Sequence, residues 1–234
     1  MNSHLTYFLI LTFTLAGPLL LSFDKKVAFY KKWKYLFPAM LIPAALYIGW
    51  DIYFTSTGIW SFNEKYYVTG LRLLNLPLEE VLFFFIVPYC CVFIYECIRC
   101  YFPWLKNERS TDIILKILAA GLLITGSIFY NKYYTSWTFI LTAVFIFIIY
   151  RRRHYFTSFD ATLFLISFLI ILIPFLVVNG FLTAIPVVLY SNAQNMGIKI
   201  YTIPFEDVFY GMLLVMMNIV IYEKMRRKQL TVGS

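Results

Sequence analysis

The stretch Leu-Pro-Leu-Glu-Glu-Val at residues 76–81 decides the fold, because a second copy of it follows in the same chain. The second copy, Ile-Pro-Phe-Glu-Asp-Val at 203–208, begins 127 residues later. Both copies place two acidic residues just inside the start of a long apolar run, and both runs end on Ile-Tyr-Glu, at 94–96 and at 221–223. Acidic pairs are expensive to bury at the mouth of a membrane helix, so the function is to be sought there first.

The composition around the two copies is that of a membrane protein. Of the 234 residues, 61% are hydrophobic and 21% are aromatic, whereas a soluble protein uses roughly 45–50% apolar residues. Charged residues make up 14% and cluster between the apolar runs. The net charge of +8 is therefore explained by short basic loops that set topology, and we expect no nucleic-acid partner.

Seven apolar runs approach or reach the roughly 20 residues that a bilayer requires. We predict spans over residues 5–23, 35–54, 76–96, 113–130, 134–150, 163–180 and 203–222. The first run is expected to be a retained span rather than a signal peptide, because no basic segment precedes it and no small-residue cleavage site follows it. The sequence thus predicts an all-α polytopic membrane protein with seven transmembrane helices.

Basic residues alternate between the two sides of these predicted spans. One set of loops, with the C-terminal tail, carries Lys25, Lys26, Lys31, Lys32, Lys34, Arg99, Lys106, Arg109, Lys116, Arg151, Arg152, Arg153, Lys224, Arg226, Arg227 and Lys228. The other set carries only Lys65, Arg72, Lys132 and Lys199. Because cytoplasmic loops carry the excess of Lys and Arg, we expect a cell-membrane protein with its N-terminus outside and its C-terminus in the cytoplasm.

The duplicated motif also predicts how the chain is divided. Spans one to three and five to seven run in the same direction, and the fourth span restores the orientation between them. We predict a first repeat over residues 1–100, a linker with the fourth span over 101–133, and a second repeat over 134–234. The two parallel three-helix repeats would then be related by a rotation about the membrane normal.

The acidic pairs are the candidate catalytic groups. They are Glu79, Glu80, Glu206 and Asp207. Neighbouring residues on a helix point about 100° apart, so at most one member of each pair can face the bundle centre squarely. An alternative role is helix capping, with Pro77 and Pro204 at the first helical positions and one carboxylate of each pair on free backbone N–H groups. Capping explains neither the second acid of each pair nor Asp51 at the end of span two.

Paired acids in an apolar, aromatic cavity could carry out proton chemistry on a hydrocarbon. A neutral carboxylic acid can protonate an alkene, and the resulting carbocation is stabilised by π-faces. The aromatic residues that follow the two pairs are Phe83, Phe84, Phe85, Tyr89, Phe209 and Tyr210. We expect Asp51, Phe83, Asn179 and Tyr210 to contact the substrate; ordinary packing is the alternative for each ring. At the basic inner face, Glu96 and Glu223 are expected to be solvated.

Other motifs point away from cofactors and metals. The chain has no G-x-G-x-x-G, so we expect no flavin or nicotinamide site of the usual kind. Cys90, Cys91, Cys97 and Cys100 have no neighbouring histidine and do not form a double Cys-x-x-Cys. We interpret these cysteines as reduced, structural thiols and expect no cofactor and no metal.

The two acidic motifs resemble the paired Pro-x-Glu-Glu/Asp motifs of the membrane-integral lycopene cyclases, and the chain is similar to the fused bacterial form. Asn-Gly-Phe-Leu-Thr at 179–183 and Tyr-Glu at 222–223 resemble the family as well. The resemblance implies conversion of lycopene to β-carotene through γ-carotene in the lipid bilayer, with no net redox change. It also implies that the four paired acids are the catalytic carboxylates. Which of them donates a proton, the ring type, the number of ends closed and the oligomeric state stay open.

Three other functions remain open at this point. Acids within a membrane also mark the ion paths of proton-coupled transporters, although such carriers usually have inverted repeats and acids near mid-membrane. A retinal protein would need a Schiff-base lysine within a span, and spans three and seven contain none. A non-catalytic carotenoid-binding membrane protein differs from the enzyme only in its lack of product.

Overall fold

Seven long helices form the molecule in the computed structural model, which describes residues 3–68 and 70–232, with side chains up to residue 227. They are α1 (Thr6–Leu21), α2 (Trp33–Ser56), α3 (Leu78–Tyr101), α4 (Arg109–Ile128), α5 (Tyr133–Arg151), α6 (Ala161–Ala184) and α7 (Glu206–Val232). All seven are long and apolar enough to cross a membrane. The predicted all-α, multi-pass fold is confirmed; the side chain of Lys228, used in the charge argument, lies outside the described residues.

The helices differ from the predicted spans mainly at their ends. Helix α3 continues to Tyr101 and α6 continues to Ala184, several residues past the predicted limits of 96 and 180. An apolar run marks the part of a helix that lies in hydrocarbon, whereas backbone hydrogen bonding continues into the polar interface. Short 3₁₀ turns, Ser3–Leu5 and Phe29–Lys32, precede α1 and α2.

Three small antiparallel sheets, which the sequence analysis did not predict, lie between the helices. Strand β1 (Trp60–Phe62) pairs with β4 (Val188–Tyr190), β2 (Arg72–Leu73) with β3 (Leu76–Pro77), and β5 (Lys199–Ile200) with β6 (Ile203–Pro204). The alternative capping role placed Pro77 and Pro204 at the first helical positions, and the structure differs from it. Each proline is the last residue of a strand, and the hairpin takes up its extended backbone before the helix starts.

The β2–β3 and β5–β6 hairpins have the same structure at equivalent positions of the two halves. Arg72 pairs with Pro77 in the first hairpin and Lys199 pairs with Pro204 in the second, again 127 residues apart. Each turn contains a residue with positive φ, Leu74 at 57° and Tyr201 at 59°. The register of these hairpins therefore sets the start of α3 and of α7 in the same way.

The helices of the two halves interlock around α3 and α7. Helix α1 packs on α3 as α5 packs on α7, and α2 packs on α7 as α6 packs on α3. The second helix of each half thus contacts the third helix of the other half, which makes α3 and α7 the most buried helices. Strands β1 and β4, one from each half, pair across the end of the bundle where α3 and α7 begin.

The opposite end of α3 and α7 holds a buried cluster of charges. Glu96 and Glu223 are 1% and 4% exposed, so the prediction that they are solvated is wrong. Arg99 forms ion pairs with both, its Nη1 lying 2.6 Å from Glu96 Oε1, and Lys32 pairs with Glu96. Tyr222 donates its hydroxyl to Glu96 at 3.0 Å. These carboxylates are neutralised in place, because burying a charge without a partner is strongly destabilising.

Candidate active site

The second acid of each pair lines one cavity between the two halves of the molecule. Because α3 and α7 start at the same end of the bundle, Glu80 and Asp207 face each other across this space, and Asp51 reaches it from the last part of α2. The three carboxyl groups are at most 7% exposed. We call this space, with a volume of about 40 Å³, the acid cavity.

Tyrosine hydroxyls hold the carboxyl groups in place. Tyr7 on α1 donates to Glu80 Oε2 at 2.6 Å, and Tyr134 on α5 donates to Asp207 Oδ1. These two contacts are equivalent, since donor and acceptor are each shifted by the same 127 residues. Tyr190 at the end of β4 donates to the other oxygen of Asp207 at 3.0 Å.

The third carboxyl group breaks the symmetry. Asp51 Oδ1 accepts a hydrogen bond from the hydroxyl of Tyr210 at 2.9 Å, and the residue 127 positions after Asp51 is Val178. Asp51 lies beside Glu80 and interacts with it. The acid cavity therefore has two interacting carboxyl groups on one side and a single carboxyl group with two phenol donors on the other.

Tyr190, the last residue of β4, keeps its phenol proton. Burial raises the pKa of Tyr190 well above its ordinary value, and the charge of the neighbouring Asp207 raises it further. A phenol that keeps its proton remains a hydrogen-bond donor. Asp207 therefore keeps this donor throughout the neutral pH range.

The first acid of each pair points away from the acid cavity. Glu79 Oε1 accepts from the backbone N–H of Val68 at 2.8 Å. Glu206 Oε1 accepts from the backbone N–H of Met196 at 2.7 Å and from the hydroxyl of Thr135 at 2.5 Å. The second oxygen of each carboxyl group is buried and has no hydrogen-bond partner among the residues that the structure describes. Glu79 and Glu206 thus anchor the loops that lead into α3 and α7, and Glu206 also contacts α5 through Thr135.

All four residues predicted to contact the substrate, Asp51, Phe83, Asn179 and Tyr210, line the acid cavity. Tyr7, Tyr134 and Tyr190 also line the acid cavity, and none of the three was predicted as a site residue. The equal spacing of Tyr7 and Tyr134 from the two acidic motifs could have identified that pair. Tyr190 is brought in by the pairing of β4 with β1, for which the sequence carries no clear signal.

Aromatic residues are eight of the seventeen that line the acid cavity. They are Tyr7, Trp60, Phe62, Phe83, Tyr134, Phe175, Tyr190 and Tyr210. Of the aromatic residues named from the sequence, Phe84 is buried against Tyr47 and Phe83, and Tyr89 contacts Ser22 at the middle of α3. A positive charge that develops among these rings would be stabilised by their π-faces, by up to about 2 kcal/mol or more per ring in a desolvated site.

A family model for lycopene cyclase matches residues 4–98 and 131–225, which are most of the chain. The chain belongs to the lycopene cyclase family. Each matched segment contains two long helices, most of a third and one acidic motif, and α4 lies between the segments.

One curated relative supports this assignment over a short segment. The bifunctional lycopene cyclase/phytoene synthase of Phaeosphaeria nodorum strain SN15 is 48% identical over 48 residues. That segment is 20% of this chain and 8% of the relative's length. No solved structure matches the chain.

Proposed function

We propose that the chain is a lycopene β-cyclase, which closes the open ends of lycopene into β-ionone rings and makes β-carotene through γ-carotene. The observation that supports this most strongly is the acid cavity itself. Carboxyl groups from both halves of the molecule, Glu80 and Asp207, line one aromatic space together with Asp51. A cyclisation of this kind needs an acid, a base and a lining that tolerates a carbocation, and the acid cavity offers all three.

The reaction would be an isomerisation without redox change. A carboxylic acid adds a proton to the terminal double bond and leaves a tertiary carbocation. The neighbouring double bond attacks this cation, which closes the six-membered ring and moves the positive charge onto the ring. A carboxylate then removes a ring proton to form the new double bond. One proton is gained and one is lost, so atoms and electrons balance for each ring.

The geometry favours different roles for the carboxyl groups on the two sides. Two neighbouring carboxyl groups away from bulk water cannot both ionise easily, so we assign the proton donor to the pair of Asp51 and Glu80. Asp207 accepts hydrogen bonds from two phenols, which stabilise its anionic form. We assign it as the base that takes the ring proton.

Glu79 and Glu206 would act as positioning residues rather than as groups that touch the substrate. Both accept a hydrogen bond from loop backbone, Glu206 accepts another from Thr135 on α5, and neither side chain lines the acid cavity. A catalytic role for all four paired acids remains a prediction. Single substitutions can separate the two roles, because Gln keeps the oxygen that accepts from the loop.

The membrane orientation is also a proposal. The distribution of Lys and Arg supports an N-terminus outside the cell and a cytoplasmic C-terminus in the cell membrane. The acid cavity would then lie near the outer face of the bilayer. The buried charge cluster around Arg99 would lie near the cytoplasmic face.

Pigment analysis in a lycopene-accumulating host tests the proposed function. Wild type should make cyclic carotenoid, and Glu80→Gln and Asp207→Asn should each lower its yield by about 100-fold or more, in line with the loss of a general acid or base. Glu79→Gln and Glu206→Gln should retain most of the activity. Glu64→Gln is the control, because Glu64 is an exposed acid on the same side that pairs with Arg72.

Two results would contradict the proposal. Absence of cyclic product from wild-type protein that is present and folded in the membrane would exclude the cyclase function. Full activity in both Glu80→Gln and Asp207→Asn would exclude the assigned carboxyl groups. Protein abundance in the membrane fraction is measured for each variant, so that a folding defect is not mistaken for a chemical one.

A further inference from the structure

Two apolar grooves run along the sides of the bundle below the level of the acidic residues. The α1–α3–α6 groove has a volume of about 370 Å³, and the α2–α5–α7 groove has a volume of about 550 Å³. Both are lined almost entirely by apolar atoms. Each is built from the first helix and third helix of one half and the second helix of the other.

The two grooves occupy equivalent places in the two halves. Ile173, Thr14 and Cys90 line the first groove. Leu46, Leu141 and Met217, at the positions shifted by 127 residues, line the second. The chain therefore provides a natural comparison between two grooves of the same origin.

Of the two grooves, only the α1–α3–α6 groove shares lining residues with the acid cavity in the described part of the chain. Phe83, Phe175 and Asn179 line both spaces. Within the part of the chain that the structure describes, no residue lines both the acid cavity and the α2–α5–α7 groove. The two grooves therefore differ in their access to the carboxyl groups.

Tyr210 lies between the α2–α5–α7 groove and the acid cavity. Tyr210 occupies the position equivalent to Phe83, and its ring lies 4.8 Å from the ring of Tyr47 and 5.2 Å from that of Trp50, two residues that line the groove. Its hydroxyl is held by Asp51. Phe83 has no hydroxyl and so cannot be held in this way.

The boundary between the first groove and the acid cavity is formed by a ring packed on a glycine. A Cβ atom at Gly211 would lie 2.6 Å from the ring of Phe175, so glycine is what allows the ring to pack there. Phe175 is a side chain that can change rotamer, and its movement would join the two spaces. A cavity of about 40 Å³ is far below the roughly 300–1,000 Å³ of a ligand pocket, so some opening is needed for a substrate end to enter.

We propose that the α1–α3–α6 groove holds the polyene chain of the substrate while the reacting end lies in the acid cavity. This inference rests on the proposed function. The groove follows α3 from Phe83 to Ile94, which is about 16 Å at the helical rise of 1.5 Å per residue. That length is about half of a hydrocarbon core of roughly 30 Å, so the polyene would lie along the helices within the bilayer.

Access to the acid cavity from one groove alone has a consequence for the order in which products form. A carotenoid with one ring closed presents its other end to the acid cavity only after it has withdrawn and turned around. The one-ring carotenoid must therefore leave the acid cavity between the two cyclisations.

Matched tryptophan substitutions test the groove. Ile173→Trp and Thr14→Trp fill the α1–α3–α6 groove, and Leu46→Trp and Leu141→Trp make the same change at the equivalent positions of the other groove. The first pair should lower the yield of cyclic product by about tenfold or more, because a displaced substrate loses its reactive alignment. The second pair should stay within about twofold of wild type, since that groove does not reach the carboxyl groups.

Lycopene binding provides a readout that does not depend on catalysis. The same four substitutions are made in the Glu80→Gln protein, which is purified from lycopene-accumulating cells and analysed for retained pigment. Pigment should fall by about tenfold with the first pair and stay unchanged with the second. Size-exclusion chromatography in detergent checks that each variant is folded. Ile173→Val changes the same position without filling the groove, so this variant should retain pigment as the Glu80→Gln protein does.

The possible failures are distinguishable. If the wild type makes no cyclic product but pigment retention still follows the first groove, the proposed function fails and the binding groove stands. Equal effects in the two grooves, or no effect in either, would overturn the groove proposal even with an active enzyme. In that case the α1–α3–α6 groove would be occupied by lipid acyl chains only.

Discussion

Individual residues of the acidic motif have separate tasks, although they are adjacent in the chain. Glu80 and Asp207 line the acid cavity, whereas Glu79 and Glu206 accept hydrogen bonds from loop backbone, and Glu206 also accepts one from Thr135. The angle of about 100° between neighbours on a helix accounts for this division. Under the proposed function, each copy of the motif therefore combines a reactive carboxyl group with a carboxyl group that holds the adjoining loop.

The phenol donors of Asp207 should influence the rate of cyclisation. Tyr134→Phe removes a hydrogen bond to a carboxylate, which is worth about 1.5–3 kcal/mol, so we expect activity to fall by roughly tenfold or more. Tyr133→Phe is the matched control, because Tyr133 is the neighbouring residue and its side chain is exposed. Initial rates with lycopene in membranes from the two variants would check this.

Equal rates for Tyr134→Phe and Tyr133→Phe would contradict the role assigned to this phenol. The Tyr134→Phe protein must be folded for the comparison to count. Its abundance and its elution in detergent are therefore compared with those of wild type.

The acids could be predicted from the sequence, but most of their partners could not. Burying a carboxyl group in a membrane is costly, so Asp51 and the paired acids stood out by residue type alone. Tyrosines are common near membrane interfaces, so residue type alone did not single out Tyr7 and Tyr134, although they share the 127-residue spacing of the acids. The structure shows their role by placing their hydroxyls on Glu80 and Asp207.

At the level of helices and strands, the long elements could be predicted and the short ones could not. A membrane span needs roughly 20 apolar residues, which leaves a strong pattern. Strands of two or three residues, such as β2 or β5, leave none, and pairing rather than propensity decides them. The buried ion cluster at Glu96 and Glu223 was missed for a similar reason, since its cations come from three separate elements.

The close approach of α6 and α7 at Gly211 should be sensitive to a single methyl group. Gly211→Ala places a Cβ atom 2.6 Å from the Phe175 ring, so the ring must move into the groove or the acid cavity. We expect cyclic product to fall by about tenfold, as for other small displacements at a reacting centre. Product yield per folded protein is the measurement.

Gly49→Ala is the control for this change. Gly49 is also within a helix and lines the α2–α5–α7 groove, and a Cβ atom there would have no heavy atom within 4 Å. Its activity should match that of wild type. Equal activity of Gly211→Ala and wild type would show that the position of Phe175 does not control access to the acid cavity.

At the level of the whole molecule, the duplicated motif explains the shared cavity, and differences between the two copies explain its asymmetry. The interlocked halves bring one acidic motif from each to a common space, as the pairing of β1 with β4 shows at the same end. The two halves differ at two pairs of equivalent positions. Asp51 corresponds to Val178, so only one side of the acid cavity has two carboxyl groups. Phe83 corresponds to Tyr210, so the two grooves differ where they approach the acid cavity. The division into repeats over 1–100 and 134–234 with a linker over 101–133 stays a prediction, as does the membrane orientation.

The central claim is that carboxyl groups in the acid cavity exchange protons with the hydrocarbon substrate, and isotope labelling tests it most directly. Membranes that contain the protein are equilibrated in D₂O buffer and supplied with unlabelled lycopene. The deuterium content of the products is then measured by mass spectrometry. The account predicts one deuterium retained for each ring closed, because the proton that starts each cyclisation stays on the ring. Cyclic product without deuterium would contradict it.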